Sequence, residues 1–332
     1  MTTEATATIM IIILCWIILT GLDAAVCGLL SLCCGVAFKK AFLWGLISLL
    51  LPPVFIAYGA IWERNRFEVK EVCLYFDNLP ESFDNYRIVH ISDIHARSFE
   101  GREDRLNKAV GIINSLDADL IAFSGDLISM EPGELDSIVP ILKDLKAKDG
   151  VISVLGNHDY CQYTHVDQQT KEDYLKELIH REGEMGWKLL LNENIIIRRE
   201  EDSIAVIGVE NTSPSRHFPS KGNLDKASQG TEGMFRILLT HDPMHWEHEI
   251  IGMDYPLTLS GHTHAMQLSV LGWSPSQLIF RQHKGLYTKD GQNLYVNIGL
   301  GETIFPARIG ACPEITLITV RKPENIHKNQ NI

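Results

Sequence analysis

Seven side chains in this sequence have the types and local settings of metal ligands: Asp93, His95, Asp126, Asn157, His241, His262 and His264. They lie in short pieces, Asp93-Ile94-His95, Gly125-Asp126, Gly156-Asn157-His158-Asp159, Thr240-His241 and Gly261-His262-Thr263-His264. Carboxylate oxygens, an amide oxygen and imidazole nitrogens are a donor set that suits Mn, Fe or Zn. Two such cations about 3.5–4 Å apart would bind a phosphate and attack it with a metal-activated hydroxide. Taken singly the pieces are weak. D-x-H recurs by chance, Gly-Asp is an ordinary turn, and His-x-His after a glycine also fits a surface loop. Each piece follows an apolar run, however, and together they point to one binuclear centre.

Those apolar runs are the elements that must position the ligands. Tyr86–Ser92, Leu120–Ser124 and Val151–Leu155 read as buried strands, and the first three pieces sit at their ends. Between them, residues 102–115 carry Leu106, Val110 and Ile113 at helical spacing, and Gly133–Lys146 also reads as a helix. Strands alternating with helices predict right-handed crossovers and a mainly parallel sheet. Ligands of such sheets gather at the carboxyl ends of the strands. Phe67–Phe76 alternates apolar and polar residues, as an edge strand does. After a helix over 170–185 come short strands at Trp187–Leu191, Ile195–Arg199, Ile204–Val209, Arg236–Thr240, Leu257–Leu259, Leu294–Ile298 and Ile315–Val320. They predict a second, mixed sheet packed on the first. Residues 210–233 form the longest irregular stretch, of a length that is often functional.

The N-terminus has a different composition. From Ile9 to Phe38 the only charge is Asp23, and after Lys39-Lys40 the stretch Ala41–Trp62 is uncharged. A spanning helix takes about 20 apolar residues, so two spans fit, roughly 9–36 and 41–62, or more if Asp23, close to Gly21, breaks the first into a re-entrant or double-pass hairpin. Pro52-Pro53 should kink the second. Glu4 stands where a cleaved signal peptide would carry Lys or Arg. The expected organisation is a transmembrane anchor over 1–66, a catalytic domain over 67–322 and a disordered tail over 323–332. Arg64, Arg66 and Lys70 flank the domain against Lys39 and Lys40 in the turn, which tips the domain to the cytoplasmic side. Cysteines without a pairing pattern lean the same way.

Net charge is -12 over 332 residues, and the charges up to Glu68 cancel, so the acid surplus belongs to the domain. That excludes a nucleic-acid partner held by basic residues. The expected partners are the membrane lipid bilayer and a phosphorylated small-molecule or lipid substrate. No oligomeric state is legible.

The order D-x-H, G-D, G-N-H-D, H, G-H-x-H resembles the calcineurin-like metallophosphoesterase superfamily over roughly residues 84–320. The resemblance implies a four-layer αββα sandwich of two sheets flanked by helices. It also implies that Asp93, His95, Asp126 and His264 hold one metal ion. Asp126 would bridge to a second ion completed by Asn157, His241 and His262, with His158 protonating the leaving oxygen. Imidazole suits that task because it titrates near neutral pH, and Asp159 or another carboxylate would orient it, Asp159 being equally suited to a turn. Protein Ser/Thr phosphatases carry an acidic residue and an arginine soon after Gly-Asp, where this chain has Leu127-Ile128-Ser129-Met130. Phosphoprotein substrates are therefore disfavoured. Gly261–Gln267 and the Leu294–Val320 region look like the membrane-associated bacterial branch, which includes phosphodiesterases and UDP-2,3-diacylglucosamine hydrolases. Where that branch usually has Gly-Gly after His-x-His, this chain has Ala265-Met266. Arg308 is a candidate phosphate contact, or else a surface or strand-capping residue. The expected function is a membrane-anchored, dimetal-dependent phosphohydrolase cleaving a phosphodiester or pyrophosphate bond. The alternative is a metal-binding scaffold or sensor without turnover.

Overall fold

The computed structural model describes residues 3–323. All of the expected tail except Pro323 therefore lies outside the described residues. Helix α1 (Thr3–Cys34) runs unbroken past Asp23. The returning segment is segmented into α2 (Phe38–Gly45), a 3-10 stretch over Leu46–Leu50 and α3 (Leu51–Ile61). Pro52 and Pro53 occupy the first turn of α3, where a missing N–H costs nothing. They start a helix there instead of bending one. Thr8–Cys34 and Phe38–Asn65 are each long and apolar enough to cross a bilayer. The two are tied by the Trp16 indole, which donates to the Leu49 carbonyl at 2.6 Å.

The rest is a sandwich of two six-stranded sheets. In the first sheet β1 (Glu68–Tyr75) lies at one edge, followed by β12 (Glu314–Arg321), β2 (Tyr86–Ile91), β3 (Leu120–Phe123), β4 (Val151–Ser153) and β5 (Lys188–Leu189). Strands β2 to β5 are parallel, as the strand–helix alternation requires, while β12 runs antiparallel to β2 and parallel to β1. The second sheet is mixed, with β10 (Gly285–Lys289), β11 (Gln292–Val296), β9 (Leu257–Ser260), β8 (Phe235–Leu239), β7 (Asp202–Gly208) and β6 (Glu193–Arg199) in that order.

Two expectations need correction. Ile315–Val320 belongs to the first sheet, inserted between β1 and β2, and the strand near Trp187 joins that sheet's other edge. The helix expected over Gly133–Lys146 is only a 3-10 turn, Pro132–Leu135, and one helical turn, Val139–Leu142. Pro140 lacks the N–H a continuous helix would need. The apolar face was nevertheless correct, since Leu135, Ile138, Ile141, Leu142 and Leu145 are all buried.

Alternation along the strands builds the layers. Ile88 of β2 faces the inner core while Val89 faces the helices; Ile204 and Val206 of β7 face inward while Ala205 and Ile207 pack outward. Helices Glu103–Ser115 and Gln168–Glu184 cover the first sheet. Under the second of these, Glu182 is fully buried with Ser153 Oγ donating to it at 2.5 Å. Burial pushes its carboxyl up to about 8. The folded chain thus keeps a proton that the unfolded chain releases above the ordinary Glu pKa. Stability is expected to fall with rising pH between about 4.5 and about 8, by about 1.4 kcal/mol per pH unit at most. Glu182→Gln should flatten that slope. Thermal midpoints of both proteins at about pH 5 and about pH 9 read it directly, and parallel curves would refute the assignment.

Arg64, just past α3, does not face a membrane surface. Its guanidinium reaches Glu302 at 2.9 Å and the Pro306 carbonyl at 2.8 Å, in a buried cluster with Arg105. Glu63 accepts from the Gly310 N–H at 2.6 Å. The end of the second apolar helix is therefore bolted to the 299–310 loop.

Candidate metal centre

Strands β2, β3 and β4 are adjacent and parallel, and so are β8 and β9 in the facing sheet. Their carboxyl ends meet at one rim of the sandwich, which explains why five fragments far apart in sequence converge. Asp93 follows β2, Asp126 follows β3, Asn157 follows β4, His241 follows β8 and His262 and His264 follow β9.

Three ligand groups result: Asp93, His95 and His264; His95, Asp126 and His158; Asp126, His241 and His262. Asp126 is common to the second and third. Its Oδ2 lies 3.0 Å from His241 Nε2 and 3.7 Å from His95 Nε2. His264 Nε2 is 3.2 Å from Asp93 Oδ1 and 3.1 Å from His95 Nε2. His262 Nδ1 is 3.3 Å from His241 Nε2. His241 Nδ1 donates to the Ser124 carbonyl at 2.7 Å, which leaves its Nε2 lone pair for a cation.

Backbone geometry aims these groups. Asp93, His95, Asp126, His262 and His264 all have positive φ, between 44° and 74°. Left-handed backbone costs an ordinary residue about 1–2 kcal/mol, and such strain collects where side chains must converge. The conformation continues through Ala265, Met266 and Gln267, at φ 48°, 48° and 56°. Ala265 and Met266, where the resemblance implies Gly-Gly, are thus left-handed although both carry side chains, and Met266 lines the cavity over the site. Two glycines are required by close approach: a Cβ on Gly156 would strike the Asp126 carboxylate, and one on Gly261 would strike Ser92 and Asp93.

The residues fit a pair of cations. Asn157 is buried, and its Oδ1 has no protein partner while its Nδ2 donates to the Tyr163 hydroxyl at 2.9 Å. Burial opposes ionisation of Asp93, yet His264 beside it holds its carboxyl well below the usual range. Burial also disfavours the His241 imidazolium, but the Asp126 carboxylate outweighs it and drives the ring up to about 10. Carboxylate charge strong enough to draw a proton onto a buried imidazole would draw a divalent metal in its place, and the partnerless Asn157 amide oxygen adds a further donor.

His158 is anchored as His241 is, through Nδ1 on a backbone carbonyl. Its Nδ1 donates to the Ser129 carbonyl at 2.7 Å and its ring packs on Tyr163, centroids 4.3 Å apart. Asp159 does not orient it. That carboxylate is buried and accepts from the backbone N–H groups of Asp126, Leu127, Ile128 and Gly156 at 2.8–3.2 Å. It is a positioning residue that staples the Asp126 loop to the Asn157 loop. Ser129, Ser124 and Tyr163 were missed in the sequence. The first two act through backbone carbonyls, which no residue type reveals.

Arg308 is corrected. It is fully buried, and its guanidinium donates to the carbonyls of Ile298, Gly299, Gly301 and Ala311. One nitrogen lies 3.2 Å from His264 Nδ1, behind the centre, so it buttresses a ligand instead of meeting a phosphate. His90 and His245 are packed residues: His90 Nε2 meets Ser124 Oγ at 2.9 Å, and His245 is held between Thr240 and Glu249.

Residues 86–266 match the family model described as calcineurin-like phosphoesterase. The chain belongs to that family. It is therefore a phosphoesterase of the dimetal kind, and its two-sheet sandwich is the family's fold. The metallophosphoesterase YkuE of Bacillus subtilis is 29% identical over 298 residues, covering 85% of this chain and 97% of that protein. A zebrafish (Danio rerio) protein named transmembrane protein with metallophosphoesterase domain is 32% identical over 289 residues; 83% of this chain matches, spanning 62% of that protein. A solved zebrafish dimetal phosphatase superposes over 66% of this chain and 89% of its own, with TM-score 0.42 and 12% identity.

Proposed function

We propose that this chain is a membrane-anchored phosphohydrolase that cleaves a phosphodiester or pyrophosphate bond in a lipid- or nucleotide-linked substrate. The observation that carries it is the Asp126 carboxylate, shared by the group with His95 and His158 and the group with His241 and His262. Asp93, His95, Asp126 and His264 would hold one cation, and Asp126, Asn157, His241 and His262 the other, as Mn, Fe or Zn. When bound, such a pair supplies Lewis-acid polarisation of the phosphoryl oxygens and activation of a water. The chain's own part is to orient and to move a proton. The Ser129 carbonyl fixes His158 with Nε2 towards the substrate, where the imidazolium gives its proton to the departing oxygen. Asn157 and Tyr163 wall that side.

Two long apolar helices and the tie from Glu63 and Arg64 to the 299–310 loop support anchoring beside the bilayer. The domain's three free cysteines, Cys73, Cys161 and Cys312, support a cytoplasmic domain. The test is hydrolysis by the purified full chain with Mn²⁺ added, together with metal analysis. Asp126→Asn is expected to drop turnover to the level of a chelator-treated sample and to reduce bound metal. Full activity in that variant would remove Asp126 from the centre. Equal turnover of simple diesters and a pyrophosphate-linked lipid would remove the lipid preference.

A further inference from the structure

The centre opens into a cavity of about 670 Å³ whose floor is polar and whose walls are not. Met266, Leu268, Ile279, Phe280, Ile304 and Phe305 line one side, and Ile11 of α1 reaches the same cavity. Beyond this wall the chain makes a tight hairpin, with Val270 and Trp273 exchanging backbone hydrogen bonds around Leu271-Gly272. Leu271 and Gly272 both have positive φ, 50° and 86°, the geometry in which Asn-Gly or Asp-Gly is favoured. A leucine there bears the left-handed strain. It recovers nothing by packing, since its relative exposure is 104%. Trp273 is 50% exposed, and Leu278 and Ile304 nearby are 80% and 69% exposed.

A hairpin tip reading Val-Leu-Gly-Trp is poorly suited to water. Its position says what it is suited to. At the hairpin base, Ser269 N–H donates to the Ile309 carbonyl at 2.8 Å, and Leu268 is bridged to Ile309. Gly59 of α3 packs so closely on Arg308 and Ile309 that a Cβ would clash with both. Hairpin, 308–310 strip and the domain end of the apolar helix are therefore successive neighbours. Exposed Ile61 and Trp62 mark the level where that helix leaves the apolar phase.

We propose that the Leu271 tip, with Trp273, Leu278 and Ile304, dips into the lipid leaflet beside the anchor, so that the cavity takes a phosphorylated amphiphile directly from the bilayer. This rests on the phosphohydrolase reading for its substrate but not for its membrane contact. The acyl part would lie along the apolar wall while the phosphate reaches the polar floor. Burying one leucine side chain is worth about 1.5–3 kcal/mol, or roughly tenfold or more in partitioning.

Two measurements on the full chain test it. In nanodiscs of lipids brominated on the acyl chains, the emission owed to Trp273, found by difference from Trp273→Phe, is expected to be quenched. Unquenched emission overturns the proposal whatever the activity, and so does a concentration-dependent cross-link through the tip, which would mean a second copy sits there. With Mn²⁺ present, Leu271→Asp combined with Leu278→Asp should lower turnover of a long-chain phosphodiester lipid in vesicles by about a hundredfold or more. Hydrolysis of soluble bis(p-nitrophenyl) phosphate should not change. Loss on both substrates, or on neither, overturns delivery from the leaflet. Quenching without turnover of any diester by the unaltered protein would instead defeat the phosphohydrolase reading and leave the membrane contact standing.

Discussion

Replacing His158 by alanine is expected to lower kcat by about 10²–10⁴-fold on an ester with an alkoxide leaving group, while bound metal is unchanged. The side chain is tied to the Ser129 carbonyl through Nδ1, so Nε2 is the nitrogen available for proton transfer. Its effect must depend on the leaving group. A p-nitrophenolate departs without a proton, so the same variant should lose far less on a p-nitrophenyl ester. Added imidazole should restore part of the lost rate. Equal losses on both esters, accompanied by loss of metal, would make His158 a ligand and not an acid. Kinetics on the two esters, with metal content measured on the same samples, decide between these roles.

The second large effect lies one residue further on. Asp159→Ala would leave four buried N–H groups, those of Asp126, Leu127, Ile128 and Gly156, without their acceptor. A buried donor left unmade costs about 1–3 kcal/mol, and the four share one carboxylate, so their costs do not simply add. A loss of about 4 kcal/mol is expected, at the upper end for single substitutions. Metal affinity should fall by roughly 10–100-fold as the Asp126 and Asn157 loops slacken, since partners behind ligands matter nearly as much as ligands. Asp159→Asn keeps one acceptor oxygen and should fall between. Denaturation curves and metal titrations measure the two effects separately. An alanine variant with unchanged stability would show that water or a neighbour satisfies those N–H groups.

Much of the site was legible because chemistry and burial are written in the same residues. An apolar run such as Tyr86–Ser92 must be a buried strand, and a polar residue directly after it must sit on the rim. What composition could not supply was pairing. The apolar and β-branched run Ile315–Val320 says strand, but only the folded chain shows that it lies beside Tyr86–Ile91 and not in the second sheet. Arg308 illustrates a different limit. It stands near the motif in sequence, yet its partners are carbonyls, which every residue has, so nothing in the chain foretold that it would turn inward. The same blindness hid Ser129. The helix expected over 133–146 failed for a local reason, because its periodicity was sound and Pro140 was given too little weight.

The pairing of β1 with β12 sets the order in which the molecule can be made. Glu68 hydrogen-bonds alongside Glu314, and Tyr75 alongside Arg321, so the first strand of the domain completes its sheet with the last. During synthesis the apolar hairpin and β1 emerge first and wait for almost the whole remaining chain. Contacts of such long separation form slowly, and an unpaired edge is open to wrong partners in the interval. A ribosome-bound chain ending before residue 314 would carry β1 as a bare edge, joined to the apolar segment that precedes it. Insertion of that segment into a bilayer, as proposed above, would restrain how far the edge can wander from its eventual neighbour. Truncations removing β12 should therefore be aggregation-prone rather than merely inactive.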